Sequence, residues 1–445
     1  MPNKLPEKAW VVTVDMGYGH QRAAYPLHKI AAGQIINANN YQGIPARDKE
    51  LWAESRVFYE FISRFKKVPL IGERAFALYD KFQEIPKFYP RRDLSRSNYQ
   101  LRQIYKLFGK NWGRHLIDKL SAEPRPLVTT FFIIAMMAEY FDYQGEIYCI
   151  LCDADISRTW VPLDPKATRI IFLASNKRVE ERLKLYGVRS ENIFFTGFPL
   201  PEENVGDKLK TLKADLGRRL IQLDPDRFYI NQYLDTLNAH IGRDNLKLKP
   251  TRPLTITFAV GGAGAQRELG GEILKSLRKD ILKGKIRLNL VAGINSDVNV
   301  YFNEQVRLAH LTCQLKKCVN VVYDVTKLKY FRAFNKILRQ TDILWTKPSE
   351  LSFYCALGLP IIIAPPIGSQ EIFNQTWLRS IGAGMDQDDP RYVNEWLYDW
   401  LKSGWLAEAA MAGFIEAPKY GTYNVEKIIF HKVKEAKKVQ TVLQY

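Results

Sequence analysis

The sequence predicts an α/β protein built of two doubly wound domains of parallel sheet. Strand-like apolar runs alternate with helical segments along most of the chain, and 445 residues exceed what one hydrophobic core organises. An apolar run also breaks twice into a glycine-rich turn that opens a helix: Met16-Gly17-Tyr18-Gly19-His20 after Val11 to Val14, and Gly261 to Ala265 after Leu254 to Val260. Each turn heads one domain.

In the first domain, strands are expected at Val11 to Asp15, Leu127 to Phe132, Ile147 to Cys152 and Ile170 to Ala174. A helix over Val179 to Tyr186 ends at Gly187, and Asn192 to Phe198 supplies a last strand with a Gly/Pro exit. The charged stretch Glu202 to Pro253 has a helical pattern around Lys208 to Leu220 and Arg227 to Ile241, with no strong strand signal. The alternation restarts at Leu254 and continues with strands at Leu288 to Ala292, Val319 to Tyr323, Asp342 to Trp345 and Leu359 to Pro366. A helix over Leu328 to Gln340 separates two of them, and Gly368-Ser369-Gln370-Glu371 opens another. Polar or glycine-rich strand ends then form one rim of each domain, and a cleft between the rims is expected to hold a bipartite ligand.

Apolar residues at 46% and charged ones at 25% exclude a disordered chain. Met1 to Lys8 runs straight toward the first strand with no basic-then-apolar leader, so secretion is not expected. The apolar run Phe131 to Ala138 is well short of the ~20 residues that span a bilayer. Five cysteines are an odd and sparse set, which fits a reducing compartment. Cys149 and Cys152 have Cys-x-x-Cys spacing but lie in an apolar strand, and burial is the expectation for both.

A net charge of +18 and a pI near 9.5 imply an anionic partner. Over about 49–125 the cations interleave with aromatics, among them Trp52, Phe58, Phe61, Phe65, Lys87, Phe88, Tyr89, Arg91 and Arg92. Phe58, Phe61, Ile62 and Phe65 share a helical face, with Arg64, Lys66 and Lys67 near its end. Such a helix lies in the headgroup layer of an anionic membrane surface. No basic recognition helix or RNA-binding motif is present, so nucleic acid is not an expected partner.

His20 is the first candidate for chemistry, because imidazole titrates near neutrality and the turn lies at the carboxyl edge of a sheet, where open α/β folds bind ligands. Asp15, Asp153 and Asp155 are strand-end carboxylates that read equally as orienting groups, alternative bases or helix caps. The Asp153-Ala154-Asp155 spacing mimics a metal-binding pair of a different fold, and no metal site is expected. Gly261, Gly262, Ala263 and Gly264 offer backbone N–H groups to an anion.

Nearly the full chain resembles the GT-B glycosyltransferases. Within them it is similar to the branch containing monogalactosyldiacylglycerol synthases, bacterial diacylglycerol glucosyltransferases and the lipid II N-acetylglucosaminyl transferase. The matching motifs run in order: Gly17-Tyr18-Gly19-His20-Gln21-Arg22-Ala23-Ala24, Cys152-Asp153 to Trp160-Val161, Gly187-Val188 and Asn192 to Pro199. Then come Gly261 to Ala265, Ala292-Gly293-Ile294-Asn295, Thr346-Lys347-Pro348, and Gln370-Glu371 with Asn374.

The resemblance implies an inverting, metal-independent transfer of a sugar from a UDP-linked nucleotide-sugar to a lipid acceptor such as diacylglycerol, with no further cofactor. It implies His20 as base with Asp153 and Asp15 beside it, and Gly17, Gly19, Asp155 and Trp160 around the acceptor. Donor binding would fall to Gly261, Gly262, Ala263, Gly264, Asn295, Lys347, Glu350, Gln370, Glu371 and Asn374. The implied domain plan is an acceptor domain over 1–203, an extended linker or insertion over 204–253, a donor domain over 254–408, and helices over 409–445 packing back on the first domain. The implied location is the cytoplasmic, inner face of the cell membrane.

The chain departs from the pattern in places. The family's ribose-binding acid falls near Cys355, and a thiol cannot accept a bidentate pair from a ribose, which leaves Glu350 as the candidate replacement. Lys347-Pro348-Ser349-Glu350 replaces a double glycine, and Ser157 stands where some relatives carry a histidine. Trp396, Trp400 and Trp405 read as packing residues. Two other readings remain open: a GT-B enzyme with a soluble acceptor or an epimerase, and a non-catalytic nucleotide-sugar binding protein.

Overall fold

The computed structural model describes residues 8–54, 85–246, 252–259, 261 and 264–430. The chain divides into two compact units. Unit 1 comprises 1–200, 367–374 and 420–445, and unit 2 comprises 201–366 and 375–419.

Unit 1 is built on β1 (Trp10–Thr13), β2 (Ile36–Asn37), β3 (Leu127–Thr129), β4 (Ile147–Ile150), β5 (Ile171–Ala174) and β6 (Ile193–Phe195). The order is β2-β1-β3-β4-β5-β6, all parallel. β3 and β4 are buried along their whole length, as strands covered by helices on both faces must be. The run expected as one strand from Leu127 to Phe132 stops at Thr129. There the Thr129 hydroxyl accepts the Phe131 N–H at 3.1 Å and turns the chain into the helix Phe132–Tyr140, whose first seven residues are all buried. A continuous apolar run does not reveal that change of period.

The core of unit 1 absorbs much of the aromatic material expected to face a membrane. Trp52 lies in the core, 4.8 Å from the Trp112 ring and 6.1 Å from that of Phe131. Phe88 is buried, with the guanidiniums of Arg178 and Arg182 at 4.5 and 5.0 Å from its ring. These two are corrections: burial against core rings and cations outcompetes an interfacial position. Phe58, Phe61, Ile62 and Phe65 lie outside the described residues.

Unit 2 carries β7 (Leu254–Ala259), β8 (Ile286–Gly293), β9 (Val319–Tyr323), β10 (Ile343–Thr346), β11 (Ile361–Ile363) and β12 (Gly384–Asp386), in the parallel order β12-β11-β10-β7-β8-β9. The stretch 204–253, expected as a linker or insertion, belongs to this unit. Its helix Lys210–Leu223 buries Arg219, which donates to the carbonyls of Thr341 (2.8 Å), Leu357 (2.8 Å) and Gly358 (3.0 Å). With Leu338 O at 3.4 Å as a fourth acceptor, the buried guanidinium fastens the helix to the sheet ends.

The tail divides at Lys419. The helix Trp405–Glu416 belongs to unit 2, where Gly413 packs against the Cys355 backbone, so the expected return at 409 begins at Tyr420 instead. The helix Gly421–Phe430 does join unit 1: the Thr422 hydroxyl donates to Leu200 O (2.6 Å) and Asn424 Nδ2 to Thr196 O (2.9 Å). Each unit is thus a doubly wound, Rossmann-like domain on its own six-stranded parallel sheet.

Candidate functional site

In unit 1 the strand order reverses at β1, which has β2 on one side and β3 on the other. The crevice beyond the carboxyl ends of β1 and β3 is therefore the switch point at which doubly wound sheets bind ligands. Gly17 turns the chain there with φ of 101°, and Gly19 and His20 open the short helix Gly19–Ala24. His20 reaches across the switch point, its Nδ1 standing 2.6 Å from the carbonyl oxygen of Thr130, just after β3. A carbonyl only accepts, so Nδ1 carries the proton and Nε2 keeps its lone pair.

Aromatic rings hold the imidazole. Phe131 meets it edge to face at 4.9 Å, and Trp160 lies 6.3 Å away while stacking on Phe132 at 4.8 Å. Burial among these rings lowers the His20 pKa to about 4, against a smaller raising effect of the Thr130 carbonyl. The residue as a whole is half-buried. At neutral pH the imidazole is a neutral base.

The aspartates diverge. Asp15 is half-buried, and its backbone is clamped by Asn39, whose Oδ1 accepts the Asp15 N–H (2.9 Å) and whose Nδ2 donates to Asp15 O (3.1 Å). Asp153 follows β4, and its carboxylate accepts from Asn374 Nδ2 at 3.4 Å. Asp155 is a correction. It is 1% exposed and takes Arg182 Nε and Nη2 and Arg178 Nε, each at 2.8 Å, together with the Ile156 N–H at 2.9 Å. A carboxylate held by two guanidiniums braces the fold and is no base or acceptor ligand.

Asn374 is a second correction. Expected at the donor, it is 1% exposed in unit 1, where its Oδ1 accepts the Ala154 N–H at 2.8 Å while its Nδ2 serves Asp153. Both ends of the amide are spent pinning the loop after β4. Gln370 and Glu371 belong to the same stretch, and Glu371 Oε2 accepts the Ile367 N–H at 2.7 Å, closing the turn.

Unit 2 has its own switch point, between β7 and β10. Gly261 follows β7 and Lys347 follows β10, and the lysine lies across the glycine: a Cβ at Gly261 would stand 2.7 Å from Lys347 Cε and 3.4 Å from its Nζ. A Cβ there would push the end of the lysine side chain aside. The Thr346 hydroxyl donates to Ala259 O at 3.1 Å and ties the two strand ends together. Asn295, after β8, caps the helix Ser296–Leu308 by accepting the N–H groups of Asp297 (3.0 Å) and Val298 (3.1 Å), and its Nδ2 lies beside Gly264. Glu350 opens the turn Glu350–Leu357 and is half-buried. Gly262 and Ala263 lie outside the described residues. Cys355 is fully buried behind this turn, where burial raises its pKa, so the thiol occupies no ligand-facing position.

No family model matches the chain, and no curated protein is similar to it. Among solved structures it is similar to MurG of Acinetobacter baumannii, at 12% identity over 97% of this chain and 99% of that one, with a TM-score of 0.47. It is also similar to the UDP-GlcNAc 2-epimerase of Neisseria meningitidis bound to UDP-GlcNAc, at 11% identity over 82% and 88%, with a TM-score of 0.45. For the S. aureus MnaA–UDP co-structure the values are 11%, 73%, 80% and 0.47.

Sequence reasoning missed Thr13 and Thr130, whose hydroxyls lie 2.9 Å apart beneath His20. Two threonines at strand ends are ordinary strand residues in a sequence, and pairing across 117 positions leaves no local signal.

Proposed function

We propose that this protein is an inverting glycosyltransferase that uses a nucleotide-sugar, UDP-linked, and a lipid acceptor. The observation that carries the reading is His20: a neutral imidazole at the switch point of unit 1, with Nδ1 committed to a carbonyl and Nε2 left as a lone pair. Such a group takes the proton of an acceptor hydroxyl as it attacks the anomeric carbon. In unit 2, Lys347 over Gly261 supports the leaving diphosphate, and Asn295, beside Gly264, and Glu350 are the further donor-side candidates. No metal or further cofactor enters this scheme.

A lipid acceptor and an anionic membrane surface are supported by the exposed cations of the segment 87–110. It carries seven Lys or Arg against one Asp, with Tyr89 66% and Tyr99 60% exposed among them. Cations and amphipathic rings together suit the headgroup layer. No described helix is long and apolar enough to cross a membrane.

A thermal-shift screen of nucleotide-sugars tests the donor half, since a ligand at ~100 times its dissociation constant stabilises by about 2.7 kcal/mol. Transfer from the nucleotide-sugar that shifts the melting point to diacylglycerol in anionic vesicles tests the acceptor half. No shift with any nucleotide-sugar overturns the proposal, and interconversion of UDP-sugars without UDP release replaces it by the epimerase reading.

A further inference from the structure

The contact that sets the His20 tautomer is made by a carbonyl, and a carbonyl is only as well aimed as the peptide that carries it. Thr130 is fully buried and has left β3, so no sheet ladder holds its oxygen. Its N–H donates to Val12 O at 3.3 Å, and its hydroxyl meets that of Thr13, the last residue of β1, at 2.9 Å. Thr13 is fixed from its other side, its carbonyl accepting the Ala38 N–H at 2.8 Å. The Thr130 oxygen then receives His20 Nδ1–H at 2.6 Å and, weakly, the Cys152 thiol at 3.7 Å.

We propose that Thr13 and Thr130 are positioning residues for the transfer reaction, their paired hydroxyls aiming the carbonyl that holds His20 with Nε2 unprotonated. This rests on the reading of His20 as base. A hydroxyl pair in a dry strand edge is directional and has no water to replace it. The peptide that carries the Thr130 carbonyl is otherwise held through its Phe131 N–H on the Thr129 hydroxyl (3.1 Å), so losing the pair loosens the aim of the acceptor that separates the two ring nitrogens. Orienting partners of a functional imidazole carry this kind of weight elsewhere in protein chemistry.

The test uses the full chain labelled with 15N-histidine. In the unaltered protein His20 is expected as the Nδ1-protonated tautomer. Thr13→Val keeps the shape and removes one hydroxyl; the His20 signals should move toward a tautomer mixture, and kcat for UDP release from UDP-glucose, UDP-galactose or UDP-N-acetylglucosamine, whichever is turned over, should fall about 10- to 100-fold. KM should stay within about two-fold, and Thr13→Ser should restore both readouts. A folded Thr13→Val protein with an unchanged His20 tautomer overturns the proposal, as does full activity with a mixed tautomer. His20→Ala separates the two ideas: if it remains active, His20 is not the base and the function reading fails, whereas the tautomer measurement still decides whether Thr13 orients the ring.

Discussion

His20 gives its Nδ1 proton to the Thr130 carbonyl across 2.6 Å, so a residue after β1 is bonded to a residue after β3 at the place where the strand order of unit 1 reverses. The bond commits one face of the ring to the protein. The other nitrogen is left for chemistry.

Replacing that nitrogen should abolish turnover without unfolding the protein. His20→Ala is expected to lower kcat by about 10²- to 10⁴-fold, the usual weight of a general base. Nucleotide-sugar affinity, read by thermal shift, should be unchanged. An active His20→Ala enzyme would remove the base assignment.

The pH dependence follows from the lowered pKa. Folded His20 takes its proton near pH 4, so activity should hold through pH 6 and fall only toward pH 4, rather than near the unperturbed 6.5. For stability the sign is the same. The unfolded chain protonates near 6.5 and the folded one near 4, so the folded state binds fewer protons between these values. Its stability is therefore lost as pH falls through that window, by about 3 kcal/mol at most from this residue. Denaturant titrations of the native protein and His20→Gln between pH 4 and 7 should show a steeper loss for the native protein.

Lys347 and Gly261 should behave as a pair. Lys347→Ala is expected to slow turnover by about 10²- to 10³-fold, as loss of a charge-stabilising donor does. Gly261→Ala forces the lysine aside and should weaken UDP binding in calorimetry. Unchanged UDP affinity in both variants would move the phosphate site elsewhere.

Asp155 should matter for stability and not for chemistry. Asp155→Ala leaves two guanidiniums without their carboxylate, one of them fully buried. Breaking such a buried pair costs about 3 to 5 kcal/mol, so the melting point should drop by several degrees. Protein that stays folded at low temperature should retain most of its kcat.

The exposed cations of the segment 87–110 give a binding prediction. Arg92→Ala combined with Arg96→Ala should weaken binding to anionic vesicles by about 1 kcal/mol per charge removed, and added salt should erase the difference. Equal pelleting of the variant and the native protein would discount them.

Much of this was legible in the sequence because a parallel sheet buried on both faces leaves continuous apolar runs, each ending where a polar or glycine turn begins. β9 was read to the residue, and the His20 and Gly261 turns stand at the two switch points. β2 and β12 went unread, since two or three residues carry no period. The partners were also hidden. Asp155 looks like any strand-end carboxylate until Arg182 arrives from a helix 27 positions on, and Asn374 looks like a ligand residue until Ala154, 220 positions away, claims its oxygen. Cys355 could be placed on its turn but not turned inward, because a short segment buried from Leu351 to Leu357 has no periodic signature of exposure.

The composition of unit 1 also has a bearing on synthesis. Its helix at 421–430 closes on Leu200 and Thr196, and its Asp153 loop is pinned by Asn374, so contacts that complete unit 1 are supplied more than 150 residues after residue 200. Unit 2 is made in between. A domain made in this order stays without those contacts while its neighbour is translated, an exposure of the kind that favours aggregation. A fragment ending at residue 200 should accordingly be poorly soluble, and adding the helix in trans should rescue it.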